Sequence, residues 1–315
     1  MYLLVAKQLV IMSLLSVVSF AFSKKFKYGR HESEYLSKLL LFVISPCMIF
    51  NTFNIPFTQE KLSVMGLSLL LGFITLSFMI AVSLIAVRSK TDLGKSRDCL
   101  DKMAFTFSNA GFIGIPLING VFGPEGVFPL MGYVSIFNIF LWTVGFYMVN
   151  KQIGLKKIIT NPNIIAIIAG FILFLLPFEL PEILGATIKY FGDLNTPVSM
   201  IILGILFADF KCPKAGDFTP TVRLSKTILF RLILLPIFLL LVYKFILTFI
   251  FMSELVKHVM MIIFIAASCP VGMNVANFAV IYNKDESYAS LLVSASSLIC
   301  VISLPLIVKL AEIVL

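Results

Sequence analysis

The sequence predicts an all-α integral membrane protein of ten transmembrane helices in two inverted five-helix repeats. Three observations predict it. First, 59% of the 315 residues are hydrophobic and 13% are charged, with a mean hydropathy of +1.03, whereas a soluble domain has about 45–50% apolar and about 25% charged residues. Second, apolar runs recur along the whole chain, at roughly 5–22, 37–55, 62–87, 103–120, 127–149, 162–178, 184–208, 227–250, 258–282 and 287–311. A hydrocarbon core of about 30 Å needs about 20 such residues per helix. Third, positive charge collects after every second run.

The charges set the topology. Lys24, Lys25, Lys27, Arg30 and Lys38 follow the first run, and Arg88, Lys90, Lys95, Arg97 and Lys102 the third. Lys151, Lys156 and Lys157 follow the fifth, Lys211, Lys214, Arg223 and Lys226 the seventh, and Lys284 the ninth. The alternate loops hold little more than Lys61 and Lys257. This bias places the basic loops in the cytoplasm and both termini outside, in a plasma membrane or bacterial inner membrane. It also accounts for the net charge of +9 without any nucleic-acid partner. The basic cluster follows the first run instead of preceding it, so that run reads as a first spanning helix and not as a cleaved signal.

The short basic connection at 151–160 divides the chain into halves, 1–150 and 161–315, and the polar stretch 213–221 reads as a cytoplasmic linker. Five spans per half is an odd number, so a repeated second half enters the membrane upside down. Span 2 carries Ile44-Ser45-Pro46-Cys47-Met48-Ile49 and span 7 carries Asn195-Thr196-Pro197-Val198-Ser199-Met200. Each is the second span of its half, with a polar residue just before a mid-span proline.

Spans 4 and 9 are interrupted. Span 4 reads Ser108-Asn109-Ala110-Gly111-Phe112-Ile113-Gly114-Ile115-Pro116, and span 9 reads Ser268-Cys269-Pro270-Val271-Gly272-Met273-Asn274-Val275-Ala276-Asn277. Aligning Asn109 with Pro270 also aligns Gly111 with Gly272 and Pro116 with Asn277. Non-helical backbone persists in a bilayer only where protein or a water-filled cavity covers it, and a matched pair of interrupted helices points to a transporter binding site. Pro270 and Pro116 suit the first turn of a new half-helix. Gly111, Gly114 and Gly272 permit unwound or closely packed backbone. A helix that starts in mid-membrane presents unpaired N–H groups and a partial positive charge, which attract an anion such as a carboxylate. No Arg or Lys lies near either break in the sequence. Asn109, Asn274, Asn277, Ser108 and Ser268 supply polar groups, and span 2 adds Ser45, Asn51 and Asn54. The competing reading is packing glycines and a tolerated kink.

Asp193 lies within the run 184–208, where an acid is costly and a candidate for proton coupling or substrate contact. Lys189, one helical turn away, offers an ion pair instead. Arg231, Lys244 and Lys309 read as snorkelling residues toward span ends, where His31 and His258 also lie. Cys47, Cys99, Cys212, Cys269 and Cys300 show no CxxC spacing, and HExxH and GxSxG are missing. The expectation is therefore no enzyme, no metal site and no cofactor. Nor is there a channel filter motif.

The stretches Asn109-Ala110-Gly111-Phe112-Ile113-Gly114-Ile115-Pro116, GDLNTPVSMIILG from Gly192, and Cys269-Pro270-Val271-Gly272-Met273-Asn274 resemble the auxin efflux carrier family. Its members include the plant PIN-type auxin exporters and bacterial malate or organic-acid permeases. The resemblance extends over nearly the whole chain. It implies a bile-acid-symporter-like fold, in which broken spans 4 and 9 cross at the substrate. It implies a scaffold of spans 1, 2, 6 and 7, often dimeric, and a transport part of spans 3–5 and 8–10 that moves against it like an elevator. The long cytoplasmic loop of the large plant exporters is missing, so their phosphorylation control is not implied. Sodium symporters of this fold use acidic or amide ligands near the ninth-span crossing. Here Pro270 stands there without a nearby acid, which speaks against sodium coupling. The expectation is a secondary carrier for a small organic anion, such as malate or an auxin-like acid. Its site would comprise Asn109, Gly111, Pro270, Asn274, Asn277, Ser45 and Asn51, and its partners would be the lipid bilayer and a second copy in a homodimer. The alternatives are a sodium-coupled symporter of the same fold and a membrane sensor that does not transport.

Overall fold

A computed structural model of the chain describes residues 1–89, 92–151, 155–176, 180–209, 218–249 and 254–315. Lys90, Lys211, Lys214 and Cys212, singled out above, lie outside the described residues, as do positions 213–217 of the expected linker. All regular elements among the described residues are helices. Seven are long and apolar enough to cross a bilayer: Tyr2–Phe26, His31–Thr52, Gln59–Ala86, Ala110–Asn150, Glu182–Ala208, Val222–Thr248 and Glu286–Val314. The chain is thus a multi-pass membrane protein.

In chain order the helices are α1 (Tyr2–Phe26), α2 (30–52), α3 (Gln59–Ala86), α4 (Asp92–Thr106), α5 (110–122), α6 (124–150) and α7 (Leu155–Ile159). There follow α8 (Pro162–Leu175), α9 (Glu182–Asp193), α10 (Asn195–Asp209), α11 (218–249), α12 (Glu254–Ser268), α13 (Met273–Ile281) and α14 (Glu286–Val314). The stretch Ala110–Asn150 is too long for one crossing, since 41 residues would rise roughly 60 Å, about twice the hydrocarbon core. It divides into α5 and α6 at Gly123, whose φ of 68° favours glycine, and Pro124 follows. The polar linker expected over 213–221 is shorter than the sequence suggests. Helix α11 already begins at Phe218, because a proline such as Pro220 is tolerated in a first helical turn, where N–H groups have no partner anyway.

Prolines also shape the spans from within. The helix widens to i→i+5 hydrogen bonding over Leu40–Ile44, Ala110–Gly114 and Phe230–Leu234. Each widened turn ends two residues before a proline, namely Pro46, Pro116 and Pro236. A proline offers no N–H to the preceding turn and its ring crowds it, and a wide turn absorbs both defects. A fourth such turn, Leu141–Gly145, has no proline after it, and nothing in the structure explains it.

Helix α1 packs along α10, and α2 packs against α8, α9 and α10. Helix α3 packs along the α5–α6 stretch and against α12, while α14 contacts α13, α11 and α1. A polar cluster ties α4 to α11 and α14. Arg223 Nε donates to Asp101 Oδ2 (2.6 Å) and Nη2 to Asp98 Oδ1 (2.7 Å). Thr227 Oγ1 and Tyr288 Oη donate to Asp101 Oδ1 (3.0 and 2.6 Å). Arg97 Nε donates to Asp285 Oδ2 (2.7 Å). Asp101→Ala leaves the Tyr288 and Thr227 hydroxyls without their acceptor and one side of Arg223 bare. It is expected to cost about 2–4 kcal/mol, read as a lower thermal midpoint in detergent. An unchanged midpoint would show that the cluster does not hold α4 in place.

Candidate functional site

The two interruptions meet. Segments 107–109 and 270–272 lie side by side, with Ser108 and Val271 in an antiparallel bridge. The Asn109 N–H donates to Pro270 O (2.8 Å), and the Gly272 N–H donates to Phe107 O (3.0 Å). The Val271 N–H is taken by Ser296 Oγ (3.1 Å). This two-strand contact satisfies backbone that would otherwise be unpaired inside a bilayer. It needs glycine at 272, where a Cβ would stand 2.8 Å from Ser108 O and 2.9 Å from Phe107 O.

Four helix ends converge here. Helices α4 and α12 end at the crossing, and α5 and α13 begin there. Each C-terminal end carries roughly half a negative charge and each N-terminal end roughly half a positive one. Arg231, in the widened turn of α11, attends to the negative pair. Its Nη1 donates to Phe105 O (2.8 Å), its Nη2 to Ala267 O (2.5 Å) and Cys269 O (2.7 Å), and its Nε to Cys269 O (3.2 Å). The residue is 0% exposed, and among the described residues no carboxylate pairs with it. The expectation that Arg231 snorkels at a span end is therefore wrong, and a cation lies at the breaks in space although none lies near them in the sequence. Arg231 stands roughly 13 Å along the helix from Val222, at about 1.5 Å rise per residue. Carbonyls freed by both interruptions pull its guanidinium inward.

With the negative ends matched by one guanidinium, the positive ends of α5 and α13 remain. They border a cavity of about 290 Å³. Of the residues expected at the site, Ser45, Asn109, Gly111 and Asn274 line it, together with Ser108, Asn138, Trp142, Thr160, Asn161 and Asn163. None of the lining side chains is charged. Asn109 is 2% exposed, and its Nδ2 has no hydrogen-bond partner. An orphaned amide donor, buried and beside a cavity, is suited to an acceptor that the cavity would receive.

A second cavity of about 610 Å³ lies beyond α5 and receives other residues of the expected set: Asn51, Pro116 and Asp193. Glu60, Lys61, Asn119, Glu125, Lys189, Asn195, Thr196 and His258 also line it. The partition between the cavities is thin. Ile115 lines both, and Ser45 on one side donates to Asn195 Oδ1 on the other (3.2 Å). Asp193 pairs with Lys189 at 2.6 Å, and its side chain is 60% exposed.

The remaining expected residues sit in the backbone of the crossing. Pro270 is buried and contributes its carbonyl, Gly272 contributes its N–H, and Gly114 packs α5 against Ala266 and Cys269. Asn277 is half-buried one turn into α13 and lines neither cavity. Sequence reasoning missed Arg231, Ser296, Asn138, Asn161 and Asn163. For Arg231 the signal was present, since it is an ionisable residue inside an apolar run.

No curated protein matches the chain. The family model described as membrane transport protein matches residues 4–308. The chain belongs to that family, the auxin efflux carrier and membrane transport family.

Proposed function

We propose that the protein is a secondary carrier for a small organic anion, most simply a carboxylate, that works by an elevator-like alternation without sodium. The observation that carries this reading is the pairing at the crossing. One buried guanidinium matches the two negative helix ends, and the two positive ends border an uncharged cavity with the orphaned Asn109 amide beside it. A site of that composition favours an anion without any carboxylate–arginine pair.

In this reading the chain crosses the membrane ten times. Helices α4 with α5 and α12 with α13 form two broken crossings, α8 is a short crossing, and the two five-span halves are inverted. The terminal amine of Met1 reaches Glu312 at 2.7 Å, so the termini share a face, as an even number of crossings requires. Helices α1, α2 and α8–α10 are the scaffold, α3–α6 and α11–α14 the moving part, and the packing of α1 on α10 and of α2 on α8–α10 supports that division. The distribution of basic loops supports an orientation with the first cavity toward the cytoplasm and the second outside. The thin partition at Ile115 and at Ser45–Asn195 then suits alternating access to one site.

Purified protein in liposomes is expected to take up radiolabelled malate or another dicarboxylate. Asn109→Ala removes one amide donor to a charged ligand and should lower uptake about tenfold. Uptake by this variant at the wild-type rate would remove Asn109 from the site. A panel of organic acids that neither moves across the membrane nor raises the thermal midpoint would overturn the function.

A further inference from the structure

Arg231 has a role that the anion site alone does not require. In transporters with interrupted helices, unwound carbonyls and half-helix C-terminal ends form the places where coupling cations bind. Such oxygens replace the hydration shell of the ion. At this crossing those same groups converge, namely Phe105 O at the end of α4 and Ala267 O and Cys269 O at the end of α12. All three are already occupied by the guanidinium of Arg231, at 2.5–3.2 Å. The guanidinium is permanently charged and less strongly hydrated than an ammonium. Leaving it unpaired in a bilayer would be prohibitive, so the carbonyls and the arginine depend on one another.

We propose that Arg231 is a tethered cation: its guanidinium fills the carbonyl site that a free coupling ion would otherwise occupy, so the crossing is held closed without sodium. The functional meaning of this assignment rests on the transporter reading above, but its consequence for ion binding does not. The chain carries a latent cation site, and the arginine is its resident occupant. Arg231 acts on substrate only through the crossing it holds, as a positioning residue.

The test reads thermal midpoints of purified protein in detergent at constant ionic strength, with no organic acid present. For the wild type, sodium, potassium and N-methylglucamine chloride are expected to give the same midpoint within about 1 °C. A stabilisation specific to sodium would reveal a free coupling-ion site and overturn the proposal. Arg231→Gly empties the carbonyl site. Its midpoint should fall, and millimolar guanidinium or sodium should restore part of it, saturably, by about 2–5 °C. N-methylglucamine, too large to enter, should restore nothing. A loss of packing alone would not be reversed by a small cation, so a folded Arg231→Gly protein indifferent to all three ions would overturn the proposal.

Arg231→Lys and Arg231→Met decide the matter if the glycine variant does not fold. The lysine variant keeps a tethered charge and should stay closer to wild type than the near-isosteric methionine variant. Methionine performing as well as lysine would overturn the proposal. None of these measurements needs a substrate, so their failure leaves the organic-anion reading standing, and failure of uptake leaves the tethered cation standing.

Discussion

Gly272→Ala is expected to be the most damaging single-methyl change at the crossing, lowering stability by about 3–5 kcal/mol. The backbone at 272 is extended, with φ −68° and ψ 142°, which any residue adopts, so the cost is steric and not conformational. The new methyl would meet Ser108 O at 2.8 Å and Phe107 O at 2.9 Å. Both are backbone atoms and cannot rotate aside. Relief requires separating the two segments, which breaks Gly272 N–H to Phe107 O and Asn109 N–H to Pro270 O. Those groups then have no water to turn to in the bilayer. Gly114→Ala is the internal control. Its φ is −63°, and a Cβ there meets nothing closer than 3.5 Å. Alanine also has the better helix propensity, so this change should stay within about 1 kcal/mol of the parent. Thermal unfolding of the two variants in detergent separates them. Equal losses would mean that the crossing tolerates widening and that its two-strand contact contributes little.

These two glycines look alike in the sequence, since each sits beside a proline-marked break. What distinguishes them is the partner chain segment, more than 150 residues away, and that is a tertiary fact. The breaks themselves were legible because Pro and Gly act locally, and so was the run of membrane helices, because bilayer thickness sets a length. The charged residues were not ranked well. Asp193 drew attention because it lies inside an apolar run, yet it lies at the last turn of α9, 60% exposed beside Lys189. Arg231 was placed at a span end, yet it is fully enclosed. Run boundaries locate a residue along a helix but say nothing about which way it faces or how far the helix extends beyond the apolar run. Helix α11 begins well before the apolar run does, which puts Arg231 deeper than hydropathy alone suggests. Its acceptors also come from segments 36 to 126 residues distant, so no local pattern could name them.

Asn109→Asp is expected to reduce organic-anion binding about a hundredfold or more, beyond the roughly tenfold loss from Asn109→Ala. The substitution is nearly isosteric. The Asn109 N–H to Pro270 O bond is main-chain, and Nδ2 has no internal partner to lose, so the fold should persist. A carboxylate there faces a bound anion within about 5 Å, and at an effective dielectric of about 20 the repulsion is about 3 kcal/mol. That is about two further orders of magnitude in affinity, added to the lost donor. The two positive helix ends that would have served the ligand are then shared with the introduced charge, which deepens the loss. The sign of the pH response follows. Lowering the pH protonates the introduced carboxylate and removes the repulsion, so affinity recovers relative to wild type. Taking the ratio to wild type at each pH cancels protonation of the ligand itself. Binding of a radiolabelled dicarboxylate to both variants, across about pH 5 to 8, measures this. A ratio that stays flat with pH, or an aspartate variant that binds as well as the alanine variant, would mean that no anion lies beside residue 109. The positive helix ends would then serve only to hold the crossing together.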